Sequence, residues 1–378
     1  MGPGRDPRRP ARLVCCGLAT LDVVQVVEAL PGPDEKIVAL DASVTFGGPV
    51  ANAAATAVAL GVPSRLVTAL GASPLGALVR RALEVAGVEV LDLLEDDADA
   101  VPPVSTVLVT RSTGHRAVVS VNGTATGDVS ASARARCDAA LAGATALLVD
   151  GHHLGAAEVL AAEARRRALP VLLDGGSWKP GLERLLAHVE QAVVSADFRL
   201  PAELAARTTQ RATPPASAAG PALGPPPAPS PASGAAPGLA PGAAPGFAPG
   251  LAPGATPGPG SDADIDALLD AVAALGPTAV ARSSGGGAVR VRSVAELKPG
   301  GDPYAFAVEV DRYAVVPPQV PADEVVDTLG AGDVLHGALA AALAQGEPFD
   351  TALTDAIRVA SLSVRYPGAL GWAAHAPR

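Results

Sequence analysis

Residues 325–346 read "VVDTLGAGDVLHGALAAALAQG". A β-branched run ends at Asp327. Gly330 and Gly332 flank Ala331, Asp333 follows, and an alanine-rich pattern with helical spacing begins at once. The pattern predicts a helix opening near Gly332. The first N–H groups of a helix lack internal acceptors, so a carboxylate is at home there. Small residues at the same point let a ligand approach the backbone closely. A phosphate-like anion is the ligand that such a turn suits.

The chain around this stretch has 378 residues, enough for one large α/β domain or two ordinary ones. A hydrophobic content of 49% supports a sizeable core, and a formal net charge of −10 argues against nucleic acid or an anionic membrane as partner. Cys15, Cys16 and Cys137 are the three cysteines. An odd count with one adjacent pair is not a disulfide framework, and no Cys/His cluster has zinc spacing. Reduced thiols in a cytoplasmic protein are expected. No apolar signal-peptide core precedes Asp22, and no charge-free run approaches the ~20 residues of a membrane span.

Residues 207–260 are built almost wholly from Pro, Ala, Gly, Ser and Thr. Such a segment has too little apolar surface to offset its ordering entropy, so a disordered insertion is expected. It divides the sequence into 11–206 and 261–378, after a flexible N-terminus at 1–10. On both sides strand and helix patterns alternate, which implies a mostly parallel sheet with helices on both faces. Early hairpins, one with its turn at 112–115, read as a small antiparallel β lid.

A second glycine motif, "TFGGPVANAAATAVALG" at 45–61, places Gly47 and Gly48 before a helix with Asn52 in its first turn. Alone it is a turn and a packed helix. Paired with "DTLGAGD" at 327–333, in this order and on this α/β pattern, it resembles one of the two signatures of the ribokinase-like PfkB family of carbohydrate kinases. The second signature, DT-x-GAGD, is matched without substitution. The resemblance spans 11–200 and 261–376. It implies a doubly wound α/β fold with a β lid, and transfer of the γ-phosphoryl group of ATP to a sugar hydroxyl with Mg²⁺.

The resemblance also implies roles. Gly330, Ala331 and Gly332 form an anion hole, and Asp333 is the general base. Asp22, in "GLATLD", joins Gly48 and Asn52 at the sugar; a carboxylate and an amide together suit adjacent hydroxyls. Thr328, with Ser283 and Gly285 of "ARSSGGG" (281–287), belongs to the nucleotide side. Asp327 and Leu329 match positions that hold a monovalent cation such as K⁺ in several relatives. Some relatives pair through their lids, so a homodimer is one expectation of the resemblance.

Three stretches depart from the family pattern. "GASPLG" (71–76) lacks the aspartate of G-x-D-x-x-G, "SADF" (195–198) lacks both key residues of N-x-x-E, and "ARSSGGG" is a looser nucleotide strand. These put the metal shell and nucleotide affinity in question. They leave room for a catalytically degenerate sugar-binding protein, while an aromatic content of 3% speaks against the base slot of a nucleoside kinase. Further polar candidates are His152, His153 and Asp174 at strand ends, and Arg111, His115 and Arg116 on the lid hairpin.

Overall fold

The computed structural model describes residues 10–111, 116–121, 123, 126–212, 261–294 and 310–375. In the first half of the chain these form β1 (Leu13–Cys16), β2 (Thr20–Val27), β3 (Asp41–Gly47), α1 (Pro49–Ala59) and β4 (Ser64–Thr68). There follow α2 (Pro74–Val85), β5 (Glu89–Asp92), β6 (Val104–Thr110), β7 (Arg116–Ser120), α3 (Ser130–Ala135) and α4 (Cys137–Ala140). The centre comprises β8 (Ala146–Val149), α5 (Leu154–Arg166), β9 (Val171–Gly175), α6 (Leu182–Leu186), β10 (Gln191–Val194) and α7 (Ala202–Ala212). Beyond 260 come α8 (Asp262–Ala273), β11 (Ala279–Ser284), β12 (Gly287–Val294), β13 (Val310–Val315), α9 (Ala331–Gln345) and α10 (Phe349–Ser363). Helix α7 carries the chain past 206, so residues 207–212 are helical rather than part of the insertion; 213–260 and the N-terminal 1–9 lie outside the described residues.

Nine strands form one sheet in the order β13-β12-β11-β10-β9-β8-β1-β4-β5. From β11 to β5 every pair is parallel, and β12 and β13 are added antiparallel. The central strands are fully buried and mostly apolar, with Asp174 and Gln191 as their polar residues, as a sheet covered on both faces requires. One apolar layer joins α1, α2, α9 and α10 to one face; the other joins α3, α5, α6 and α8 to the opposite face. The chain leaves β1 toward β4 on one side and runs from β8 to β9 and β10 on the other. The crevice at such a reversal, beyond the strand C-termini, is where open α/β sheets hold ligands.

The lid is a four-stranded sheet in the order β3-β2-β6-β7. It is not wholly antiparallel, as its hairpins suggested: β2 and β6 pair in parallel. The reason is connectivity. Between them the chain makes the crossover through α1, β4, α2 and β5, and returns in the same direction. Local alternation reports a strand but not its neighbour. The β6–β7 pair is antiparallel as expected, with its turn at 112–115 outside the described residues.

Helices α1 and α9 cross closely because their contact is made of small side chains. A Cβ at Gly337 would lie 2.5 Å from the Ala53 carbonyl oxygen and 2.7 Å from Thr56 Cβ. Only a glycine lets the two backbones approach this far. That contact brings the first turn of α1 to the first turn of α9.

Candidate active site

The N-terminus of α9 is set by Gly330, which caps it in the left-handed conformation at φ 76°. A side chain there would be strained, and its Cβ would also meet Ala369 Cβ at 2.6 Å. Above Gly332 there is open space, and Gly332 is exposed. The helix N-terminus is therefore accessible at Gly332, with the positive end of the helix dipole behind it, while the Ala331 N–H lies 3.4 Å from the Thr328 carbonyl oxygen.

Asp333, the third residue of α9, is half-buried beside this hollow. Asn52 Nδ2 donates to its Oδ2 at 2.7 Å. Burial pushes the Asp333 carboxyl up to about 7, and the neighbouring Asp174 adds to the rise; the Asn52 hydrogen bond and His336 partly oppose it. The two sequence motifs thus meet directly. Asn52, placed by its motif among the sugar contacts, also holds the carboxylate of the other motif.

Asp22 lies on the lid strand β2, facing the second glycine motif. Its carboxylate packs against Gly47, where an added Cβ would come within 2.0 Å of Oδ2, and Thr20 Oγ1 donates to Oδ1 at 2.6 Å. Burial raises its carboxyl, against hydrogen bonds from Thr20 and Ser105. Gly48 caps α1 at φ 102°, against the Leu18 carbonyl. Asp22 meets Gly47, Gly48 caps the helix that carries Asn52, and Asn52 bonds Asp333, so contacts and chain link these residues in sequence.

Thr328 precedes the Gly330–Gly332 turn, and Arg116 Nη1 of β7 donates to its Oγ1 at 3.1 Å. The lid thus touches the turn it faces, through one of the hairpin arginines. Arg111 uses its backbone N–H to bond the Val27 carbonyl, and His115 lies outside the described residues. Ser283, expected from the resemblance on the nucleotide side, approaches the Val194 carbonyl oxygen with its Oγ at 3.4 Å. Gly285 forms the tight β11–β12 turn at φ 53°, with open space around it. Asp327 is tied on both oxygens: Leu329 N–H donates to Oδ1 and Gly368 N–H to Oδ2, each at 2.8 Å. It fastens the loop before α9 to the C-terminal segment.

Two groups escaped the sequence reading. Asp150, at the end of β8, accepts from the Leu18 and His152 N–H groups and braces the β1–β8 reversal. His336, one turn along α9 from Asp333, is buried and lies 3.3 Å from Asp174 Oδ2. Its place three residues after a candidate base was the signal available in sequence. His153 opens α5 in the left-handed conformation, and its enclosed Nε2 has no hydrogen-bond partner among the described residues.

At 195–198, Ser195 Oγ donates to the Gly176 carbonyl, Asp197 is exposed, and Phe198 is fully buried edge-on to Trp178 at 6.2 Å. An apolar ring fills the place where the family pattern has a carboxylate. The loop does not fit a dedicated Mg²⁺ shell, and among the described residues no group of three or more His, Cys, Asp or Glu is arranged to hold a metal ion. No described helix is long and apolar enough to cross a membrane.

This architecture, a covered parallel sheet with a β lid and an open helix N-terminus at its C-terminal edge, is the ribokinase-like fold. The chain belongs to the pfkB family of carbohydrate kinases, whose pattern it matches over 10–197 and 297–373. Among solved structures it is similar to ribokinase from Arabidopsis thaliana complexed with ribose and ATP (20% identity, TM-score 0.60, covering 95% of this chain and 94% of that one). It is likewise similar to ribokinase from Giardia lamblia (16%, TM-score 0.63, 97% of each chain). A third likeness is to ribokinase from Cryptococcus neoformans var. grubii serotype A in complex with ADP (19%, TM-score 0.55, 95% of each chain). No curated protein matches the chain.

Proposed function

We propose that the chain is a cytoplasmic ATP-dependent sugar kinase, with Asp333 as general base and Gly330, Ala331 and Gly332 as the anion hole. The observation that carries this reading is the state of Asp333. It is held by Asn52, sits beside an open helix N-terminus, and its carboxyl is pushed up to about 7. A base with that affinity is matched to proton transfer near neutral pH.

In the step proposed, a sugar hydroxyl gives its proton to Asp333 as its oxygen bonds to the γ-phosphorus. The bond from that phosphorus to the β–γ bridging oxygen breaks, and ADP leaves. The first-turn N–H groups and the dipole of α9 stabilise the charge on the transferring oxygens. Asp22, Gly48 and Asn52 hold the acceptor; Thr328, Ser283 and Gly285 lie toward the nucleotide. Mg²⁺ comes bound to the ATP phosphates, since it keeps most of its waters and substrate oxygens as ligands. Asp327 and Leu329 serve the loop first, because both Asp327 oxygens already accept backbone N–H groups.

The low aromatic content, 3%, supports a sugar over a nucleoside as acceptor. Incubating the protein with ATP, Mg²⁺ and single sugars, and identifying any phosphorylated product, tests the reading directly. Binding of a sugar without any phosphorylated product would instead support the degenerate binding protein.

A further inference from the structure

His336 has a backbone carbonyl oxygen within hydrogen-bond distance of each ring nitrogen. Nδ1 lies 2.7 Å from the Gly332 carbonyl oxygen and 3.3 Å from Asp174 Oδ2, while Nε2 lies 3.2 Å from the Val193 carbonyl oxygen. Carbonyl oxygens only accept. A neutral ring carries one N–H, so one nitrogen lone pair would then point at a carbonyl oxygen inside the core. Moving the proton to Asp174 leaves the Nδ1 lone pair against the Gly332 oxygen at 2.7 Å. With a proton on both nitrogens, Nδ1–H donates to the Gly332 carbonyl and Nε2–H to the Val193 carbonyl, and the Asp174 carboxylate 3.3 Å from Nδ1 balances the charge as an ion pair.

We propose that His336 is a buried imidazolium paired with Asp174, and that this ion pair positions and tunes Asp333. This rests on the reading of Asp333 as the base. The pair is linked to the base in two ways. His336 stands three residues from Asp333 on α9, and it grips the carbonyl of Gly332, the anion-hole residue before it. The charged groups acting on Asp333 are Asp174 from β9, Asp150 from the end of β8 and His336 from its own helix; α1 contributes the Asn52 amide. Burial raises the Asp174 carboxyl; His336 beside it is the strongest opposing influence, Asp150 adds to the rise and Lys179 opposes it. Asp174 and Asp150 favour the protonated form of Asp333, and a cation one turn away partly offsets them. The pair touches no substrate in this reading; both are positioning residues.

The test needs no turnover. In the ¹⁵N-labelled full chain, long-range ¹H–¹⁵N spectra distinguish imidazolium from either neutral tautomer. His336 is assigned by its loss in His336→Gln or, should that variant not fold, by replacing the other five of the six histidines in turn. Imidazolium shifts on both nitrogens at pH 7 are expected; a neutral ring overturns the proposal. The ¹³Cγ titration of Asp333, assigned with Asp333→Asn, is then followed in variants. His336→Gln removes the cation and is expected to raise the midpoint on the order of one pH unit; Asp174→Asn removes the anion and lowers it similarly. A pair with only a packing role leaves the midpoint in place or moves it the same way in both variants, and either result rejects the tuning. Absence of phosphoryl transfer with any acceptor would count against the kinase reading alone, because neither spectrum depends on it.

Discussion

Asn52 and Asp333, 281 residues apart, share a 2.7 Å hydrogen bond between the first turns of two helices. The bond exists because Gly337 lets α9 settle against the α1 backbone. Each motif supplies half of it, and neither half shows its partner in isolation. A donor on one oxygen of Asp333 favours the ionised form and fixes the direction of the other oxygen.

Asn52→Leu keeps similar bulk and removes the donor. The acid limb of kcat/KM is expected to move up by about 1–2 pH units, the worth of one hydrogen bond to a carboxylate. The sugar KM should rise as well. A pH–rate profile checks this. An unmoved limb with only a higher sugar KM would assign Asn52 to the acceptor alone.

The raised carboxyl of Asp333 has a cost in stability. Its value shifts from the ordinary 3.8 to about 7 on folding. Between these values the folded state keeps a proton that the unfolded chain has released, so stability falls as pH rises through that window and is lowest above it. Asp333→Asn is neutral throughout. It is expected to be more stable than the parent by about 1–3 kcal/mol at pH 8, with a smaller gain at pH 5. Denaturant unfolding of both proteins at the two pH values measures the difference. An equal gain at both would mean that relief of charge is not the cause.

Asp22→Ala should raise the sugar KM roughly 5–150-fold, the effect of leaving a bound hydroxyl unpaired, with little change in the ATP KM. The carboxylate sits on the lid strand β2 against Gly47, which leads into the helix that carries Asn52. Steady-state kinetics with each substrate varied in turn would show it. Equal weakening of both substrates would make Asp22 a structural brace.

Arg116→Ala breaks the contact between β7 and Thr328. If the lid arginine serves the transferring phosphoryl, kcat should fall on the order of 10–10²-fold, less than for an enclosed oxyanion donor because Arg116 is exposed. Thermal stability should hardly change, since an exposed arginine contact contributes little. Single-turnover rates separate this from slower product release.

Much of the local geometry of this candidate site was legible in the sequence, for a physical reason. "DTLGAGD" states its own local structure: small residues for an open turn, then a carboxylate on the first turn of a helix. The parallel sheet followed from buried Val/Leu runs alternating with helical patterns. What stayed hidden depends on contacts between distant segments. His336 reads as one polar position in an alanine-rich helix until β9 brings Asp174 beside it. The parallel β2–β6 pairing depends on a crossover that no local alternation reports. Phe198 and Trp178 could be seen only as a missing motif, whereas the structure shows the replacement, an aromatic contact.

The central claim is that Asp333 removes a proton from a sugar hydroxyl during transfer from ATP. The most direct measurement is ADP and phosphosugar formation by the parent protein and Asp333→Asn, across a panel of furanoses and ketoses. The account predicts equal amounts of both products with at least one sugar, and a 10²–10⁴-fold lower kcat in the variant with substrate binding retained. A variant that turns over at the parental rate, or a parent protein that releases no ADP in response to any sugar, would contradict it.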